Sequence, residues 1–144
     1  MPEFSYAKGR ILDSIAFITA EMKEFDTEYS EKTYREYSVD NKLQKIIDRT
    51  AENILTAIIE ISGTVLAENG IKLDSYTEVM RKIGSFFKFS DEECDILSSF
   101  ATQRNRLAHR YLNFRWQVIK FYKDNNNVLK KLVTAIYEYE KSKE

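Results

Sequence analysis

The chain has 144 residues, of which 43% are apolar and 31% charged, and its formal net charge of −1 is typical of one soluble globular domain rather than a general nucleic-acid coat protein. With one proline and four glycines, it is poorly suited to the many tight turns of a β-sandwich or barrel, and long helices are favoured. Its single cysteine, Cys94, excludes an internal disulfide and fits a reducing compartment, and one cysteine with one histidine is too few for a typical zinc site.

Neither a secretory leader nor a membrane span is predicted. The first eight residues carry no apolar core of the kind that a signal peptide needs. The most apolar stretch, residues 54–67, includes Glu60 and is too short to cross a bilayer. We therefore expect a cytoplasmic protein with no membrane partner.

Apolar residues at helical spacing predict the first two helices. The first series has alternating spacings of four and three residues and consists of Ile11, Ile15, Ile18, Met22 and Phe25. A polar connection is expected at residues 26–32, with a short turn of helix near Tyr34. The second series begins at Leu43, and from Ile54 onward its apolar arc is wide enough to predict a central helix covered on most sides. Gly70 is expected to end this helix in the left-handed conformation.

Three further helices are predicted along the rest of the chain. The segments Ser-Tyr-Thr-Glu at 75–78 and Ser-Asp-Glu-Glu at 90–93 match the capping box, in which the serine oxygen and the carboxylate each accept a backbone N–H. The last helix is predicted to begin near Trp116, and the asparagines at 125–127 are expected to weaken its middle. We therefore predict an all-α fold in which residues 1–144 form one antiparallel bundle of four to five helices.

The fourth predicted helix has an arginine where a core residue is expected. On a continuous helix with about 100° per residue, Arg104 lies near the centre of the apolar stripe. The stripe consists of Leu97, Phe100, Ala101, Leu107, Ala108 and Tyr111. A buried, unpaired guanidinium is costly, so Arg104 needs a partner. That partner is either a structural acid, for example Glu60, or an anion that arrives from outside.

His109 is the only histidine of the chain and therefore its only imidazole for proton transfer. A surface or capping role is the ordinary alternative for such a residue. Asn105 precedes it by four residues, so on a helix the two side chains can meet and orient the imidazole. On the same helix, however, Arg104 and His109 point about 140° apart. They can share a site only if the helix ends or bends near Ala108, or if a second copy of the chain supplies the other half.

Residues 101–123 are rich in positive charge and contain no acidic residue. Their basic residues are Arg104, Arg106, Arg110, Arg115, Lys120 and Lys123, and the interleaved aromatic residues are Tyr111, Phe114, Trp116, Phe121 and Tyr122. A cationic strip with aromatic neighbours suits a polyanion that has stackable bases. The alternative is a solvated face whose charge is balanced by acidic residues elsewhere in the chain.

The segment Arg-Asn-Arg-Leu-Ala-His-Arg-Tyr at residues 104–111 resembles the R-x4-H-x-Y signature of HEPN-domain proteins, specifically the HepT toxin family. The order of the opening segment at 10–13, the long central helix at 49–67 and the helix start at 75–78 extends this similarity over most of the chain. The resemblance implies a metal-independent ribonuclease that needs no cofactor and acts as a homodimer, with two facing motifs across a cleft. It also implies an RNA substrate and, as partner, an MNT-type nucleotidyltransferase antitoxin of a type VII toxin–antitoxin pair.

The resemblance also assigns roles to single residues. Arg104 and His109 match the catalytic arginine and histidine, and Asn105 matches the polar residue that often follows the arginine. Tyr111 matches the tyrosine to which the partner nucleotidyltransferase adds AMP, a change that would block the RNA cleft by volume and by charge. The neighbouring basic residues expected to bind RNA are Arg106, Arg110 and Arg115.

Two other hypotheses compete with the ribonuclease. Some HEPN-type proteins resemble non-catalytic nucleotide- or substrate-binding partners of a nucleotidyltransferase, in which Arg104 would hold a nucleotide or an acidic surface. A purely structural helical bundle is the third reading, and it leaves Arg104 in the apolar stripe unexplained. The intact motif favours the enzyme, because a non-catalytic partner would not need arginine, histidine and tyrosine at these spacings. The chemistry agrees with the RNA substrate that the resemblance implies, because RNA supplies its own nucleophile, the 2′-hydroxyl, and a histidine exchanges protons near neutral pH.

Overall fold

A computed structural model describes residues 9–143. Within this range every element of regular secondary structure is a helix, and there is no strand. Its α-helices are α1 (Ile11–Glu24), α2 (Tyr34–Val39), α3 (Asn41–Glu68), α4 (Tyr76–Phe86), α5 (Asp91–Arg104) and α6 (Leu112–Lys141). The all-α bundle is thus confirmed, with five long helices and the short α2 at the predicted turn near Tyr34. The extent of the domain over 1–144 stays a prediction, since residues 1–8 and 144 lie outside the described residues. None of the helices within residues 9–143 is long and apolar enough to cross a membrane.

Helix α3 forms the centre of the bundle and packs against each of the other five helices. Its apolar residues at helical spacing, including Ile47, Ile54 and Ile58, are fully buried. Toward its C-terminal end the burial surrounds the helix, because six consecutive residues at 61–66 are all buried. Gly70 follows the helix with φ of 73°, as its position predicts. The central, covered helix expected from the apolar pattern is therefore confirmed.

The connection after α1 differs from the prediction, because its first part is helical. Residues Phe25–Tyr29 form a π-helical turn that continues α1, and Ser30 N donates to Phe25 O at 2.9 Å. Phe25 is fully buried and packs edge-to-face on Tyr122 of α6, with ring centroids 4.6 Å apart. Tyr29 in turn packs on Phe25. The contacts that these aromatic side chains make with the core favour a helical turn, even though acidic residues lie between them.

The serine caps of α4 and α5 place these two helices. Ser90 and Glu93 form the complete capping box, as predicted. At α4 only half of the box is present, since Ser75 accepts the N–H of Glu78 while the carboxylate of Glu78 pairs with Lys82. The two helices then pack closely at Gly84, where a Cβ atom would lie 2.7 Å from Sγ of Cys94.

The predicted fourth and fifth helices need a correction at their boundary. Helix α5 ends at Arg104, a 3-10 turn follows at Asn105–Ala108, and α6 begins at Leu112 rather than near Trp116. No glycine or proline marks this break. The asparagines at 125–127 do not interrupt α6, which is continuous to Lys141. One reason is that the Asn125 amide donates to the carbonyl of Phe121 within the helix. Directly after the three asparagines, Val128 and Leu129 are buried and anchor the helix in the core.

Candidate active site

The end of α5 separates Arg104 from His109 and gives each its own surroundings. Arg104 is the last residue of α5, and the tighter 3-10 turn carries the chain to His109, whose backbone is extended at φ −75° and ψ 146°. His109 N donates to the carbonyl of Arg106 at 3.1 Å and closes the turn. The helix therefore ends before Ala108, which is one of the two conditions under which Arg104 and His109 can share a site.

Arg104 is half-buried and is held by a hydroxyl group from the central helix. Its Nε donates to Oγ1 of Thr56 at 2.8 Å, and its guanidinium carbon lies 5.8 Å from the centroid of the Tyr76 ring. The structural ion pair considered for Glu60 does not form, since no carboxylate among residues 9–143 makes a salt bridge with Arg104. Burial raises the pKa of Glu60, and the charge of Arg104 partly offsets this increase.

Two depressions meet at Arg104 and make it reachable from outside. An open groove of 340 Å³ is lined by Phe17, Glu52, Asn53, Thr56, Ala57, Glu60 and Arg104. A smaller pocket shares Thr56, Glu60 and Arg104 with this groove and is completed by Ile59 and Tyr76. Thr56 binds one nitrogen of the guanidinium, and a planar guanidinium carries five N–H donors. An incoming anion can therefore bind Arg104 without displacing its protein partner.

His109 belongs to an exposed group of aromatic rings. We call the rings of His109, Tyr111 and Phe114 the aromatic triad. The His109 ring stacks on Tyr111 with centroids 6.0 Å apart and meets Phe114 edge-to-face at 5.1 Å. Tyr111 is 50% exposed, and the guanidinium of Arg110 lies over its ring at 5.5 Å. The imidazole is thus accessible to solvent and is oriented by ring contacts.

Asn105 is exposed, and the structure does not place it against His109. The predicted meeting of the two side chains required an α-helix, in which residues four apart share a face. In the 3-10 turn the period is three residues, so this relation is lost. Over the described range, no hydrogen bond joins the two side chains.

The basic residues of the segment separate into two sets. Arg110 is exposed, and Arg106 is exposed with a hydrogen bond to Gln117 at 3.0 Å. Arg115 instead donates to Oδ2 of Asp48 at 2.7 Å, and the side chains are 17% and 13% exposed. Because its charge is neutralised inside the fold, Arg115 is poorly placed to bind a phosphate. Of the three basic residues expected to bind RNA, Arg106 and Arg110 remain as candidates.

Asp48 accepts a second hydrogen bond and connects three elements. The hydroxyl of Tyr37, which is fully buried on α2, donates to Oδ1 of Asp48 at 2.7 Å. Burial raises the pKa of the Asp48 carboxyl, and the hydrogen bonds from Tyr37 and Arg115 partly offset this increase. Burial and the hydrogen bond to Asp48 both raise the pKa of the Tyr37 hydroxyl. Trp116, the residue after Arg115, packs on the Tyr37 ring. This buried network fixes the first turn of α6, which also carries Phe114 of the aromatic triad.

Sequence reasoning missed both Thr56 and Asp48. Each is a short polar side chain on α3, next to the buried residues Leu55 and Ile47 respectively. A polar residue at the border of an apolar face is a signal for a buried partner. The identity of that partner, from a helix far along the chain, was not available from the pattern.

Comparison with known proteins identifies a family for most of this chain. A family model described as "Ribonuclease HepT-like" matches residues 18–136. This match covers α2 to α5 completely, the second half of α1, most of α6, and the whole segment from Arg104 to Tyr111. A search of curated proteins gives no match. Over residues 9–143, no group of three or more His, Cys, Asp or Glu side chains is arranged to hold a metal ion.

Proposed function

The chain belongs to the HepT-like ribonuclease family, and on this basis we propose that it is the RNA-cleaving toxin of a HEPN/MNT toxin–antitoxin pair. The observation that carries the proposal is the end of α5 at Arg104. It leaves the guanidinium in an open groove and brings His109 out of the helix into an exposed aromatic triad. A cation for a phosphate and a group that moves protons are therefore both accessible on consecutive turns of the chain.

The proposed reaction uses the substrate as its own nucleophile. His109 accepts the proton of a ribose 2′-hydroxyl, and the freed oxygen forms a bond to the adjacent phosphorus. The bond from phosphorus to the 5′-oxygen breaks, and that oxygen receives a proton as it leaves. Arg104 stabilises the charge that develops on the phosphate oxygens, because its guanidinium can donate hydrogen bonds to two of these oxygens at once. The products are a 2′,3′-cyclic phosphate and a 5′-hydroxyl.

A homodimer supplies the group that this reaction still needs. One imidazole cannot at the same time accept the nucleophile's proton and donate one to the leaving oxygen, and the chain has a single histidine. In the proposed two-fold dimer, His109 of a second copy is the proton donor. The exposure of His109 and Tyr111 supports an arrangement in which both copies contribute to one cleft.

Metal-independent cleavage of RNA is the first expected result. The purified protein should cut single-stranded RNA in the presence of excess chelator and leave 2′,3′-cyclic phosphate ends, detectable by mass spectrometry of the fragments. The matched control is the same sequence with 2′-deoxyribose throughout, which lacks the nucleophile and should remain intact. Cleavage of that control would contradict the mechanism. Binding of RNA without cleavage would favour the non-catalytic partner of a nucleotidyltransferase.

Modification of Tyr111 is the second expected result. We propose that an MNT-type nucleotidyltransferase transfers AMP from ATP to the Tyr111 hydroxyl, with release of pyrophosphate. Tyr111 is 50% exposed and its ring stacks on His109, so an added phosphate would lie beside the proposed proton-transfer group. Coexpression with an MNT-type nucleotidyltransferase should add the mass of AMP to the intact protein. The Tyr111→Phe variant should show no such adduct, and an adduct of undiminished yield on that variant would contradict the assignment.

A further inference from the structure

The guanidinium of Arg104 has two edges that can bind a pair of phosphate oxygens. One edge is formed by the two terminal Nη groups, and the other by Nε with its neighbouring Nη. In this structure Nε already donates to Oγ1 of Thr56 at 2.8 Å. The terminal edge is consequently the one that remains for a bidentate ligand.

Thr56 is a rigid anchor for this contact. It lies near the middle of α3, the central helix, between the fully buried residues Leu55 and Ile58. The hydrogen bond spans 48 residues of sequence, so it joins α3 directly to the last residue of α5. The Tyr76 ring, 5.8 Å from the guanidinium carbon, limits movement of the guanidinium away from this position.

The environment also indicates that the contact serves binding at a surface. Thr56 and Arg104 both line the open groove and the smaller pocket beside it. An arginine whose only task was to fill space near the end of α5 would not need to be fixed at a solvent-accessible position. Fixing a side chain in advance lowers the entropy that binding would otherwise cost.

We infer that Thr56 is a positioning residue for Arg104: its hydroxyl holds the guanidinium so that the terminal Nη edge is presented to an RNA phosphate. This inference rests on the proposed function for the identity of the ligand. It assigns to Thr56 no contact with the substrate, only an effect through Arg104.

The test compares two substitutions that differ in the hydroxyl group. Thr56→Val keeps the shape and removes the hydroxyl, whereas Thr56→Ser keeps the hydroxyl. Thr50→Val is the matched control, since Thr50 lies on the same helix and its hydroxyl donates to the Ile46 carbonyl at 2.7 Å, away from Arg104. The readout is the Kd for an oligonucleotide with 2′-deoxyribose at every position, which binds without being cleaved, together with kcat/KM for the matching RNA.

We expect Thr56→Val to weaken binding about three- to tenfold, the cost of ordering one long side chain, and to lower kcat/KM by at least that factor. Thr56→Ser and Thr50→Val should stay within about twofold of the unaltered protein, a change of no more than about 0.4 kcal/mol. Melting temperatures of all variants show whether the fold is retained. Equal Kd values for Thr56→Val and the unaltered protein would overturn the inference.

A double-mutant cycle separates positioning from general stability. In an Arg104→Lys background the Nε donor is absent, so adding Thr56→Val should change Kd by less than about twofold. A loss as large as in the arginine background would mean that Thr56 does not act through Arg104. Because binding is measured separately from cleavage, an unaltered protein that binds but does not cut would refute the proposed ribonuclease while the cycle still decides the role of Thr56.

Discussion

We expect the His109→Ala variant to cleave RNA about 10² to 10⁴ times more slowly than the unaltered protein, the usual contribution of a general acid or base. The chain offers no second histidine that could replace this imidazole. His109 is exposed and has no hydrogen bond from its ring in the described part of the chain, so its loss should leave the melting temperature within about a degree or two. The effect should therefore appear in kcat and not in stability.

A neighbouring position provides the control for His109. Asn113 is exposed in the first turn of α6 and belongs neither to the aromatic triad nor to the arginine site. Asn113→Ala should cleave RNA at the unaltered rate. If His109→Ala retains the unaltered rate as well, the proposed mechanism is wrong, and if both variants lose activity, the loss reflects the local backbone rather than the imidazole.

The second large effect is expected on stability, from Asp48→Ala. This change leaves the largely buried guanidinium of Arg115 and the fully buried hydroxyl of Tyr37 without their acceptor. Breaking a buried pair by removing one partner costs about 3 to 5 kcal/mol, because the remaining charge has no compensation. The free energy of unfolding from urea denaturation should fall by about this amount.

A surface ion pair of almost the same length is the control for Asp48. Arg81 and Asp95 form a salt bridge of 2.8 Å, but their side chains are 51% and 67% exposed. Asp95→Ala should cost less than about 1 kcal/mol, since water screens the exposed pair and solvates the remaining arginine. Equal losses for the two aspartates would show that burial does not govern the network of Asp48.

The network of Asp48 also bears on the proposed catalysis, because Arg115 lies four residues after Tyr111. The carbonyl of Tyr111 accepts the N–H of Arg115 in the first turn of α6. A shift of α6 after Asp48→Ala would therefore move Tyr111 and the loop that carries His109. Arg115 therefore has a structural role: it pairs with Asp48 inside the fold and fixes the start of α6.

The apolar pattern predicted the helical bundle correctly because burial of one face of a helix leaves a local periodic record in the sequence. It identified the central helix and the left-handed Gly70. It also identified Arg104 as anomalous. The end of α5 escaped prediction, since Leu107 continues the helical spacing past Arg104 and no glycine or proline marks the break.

The contacts that define the site were beyond the pattern for a different reason. Thr56 and Arg104 are 48 residues apart, and Asp48 and Arg115 are 67 residues apart. Both arginines belong to one basic segment with no acidic residue, and nothing local to that segment shows which of them faces a groove and which is neutralised. The partners on the central helix decide this: Asp48 neutralises Arg115, and Thr56 holds Arg104 at the groove.

The sequence by itself determined the helical class, the site of the signature at residues 104–111 and the chemistry that one histidine per chain permits. Those properties depend on composition and on spacings within a few turns, which are local. Only the tertiary structure decided that α5 ends at Arg104, that Thr56 holds its guanidinium and that Arg115 is paired with Asp48. Each of these depends on which side chains meet across helices, where the costs of burying charge and of leaving a donor unpaired are set.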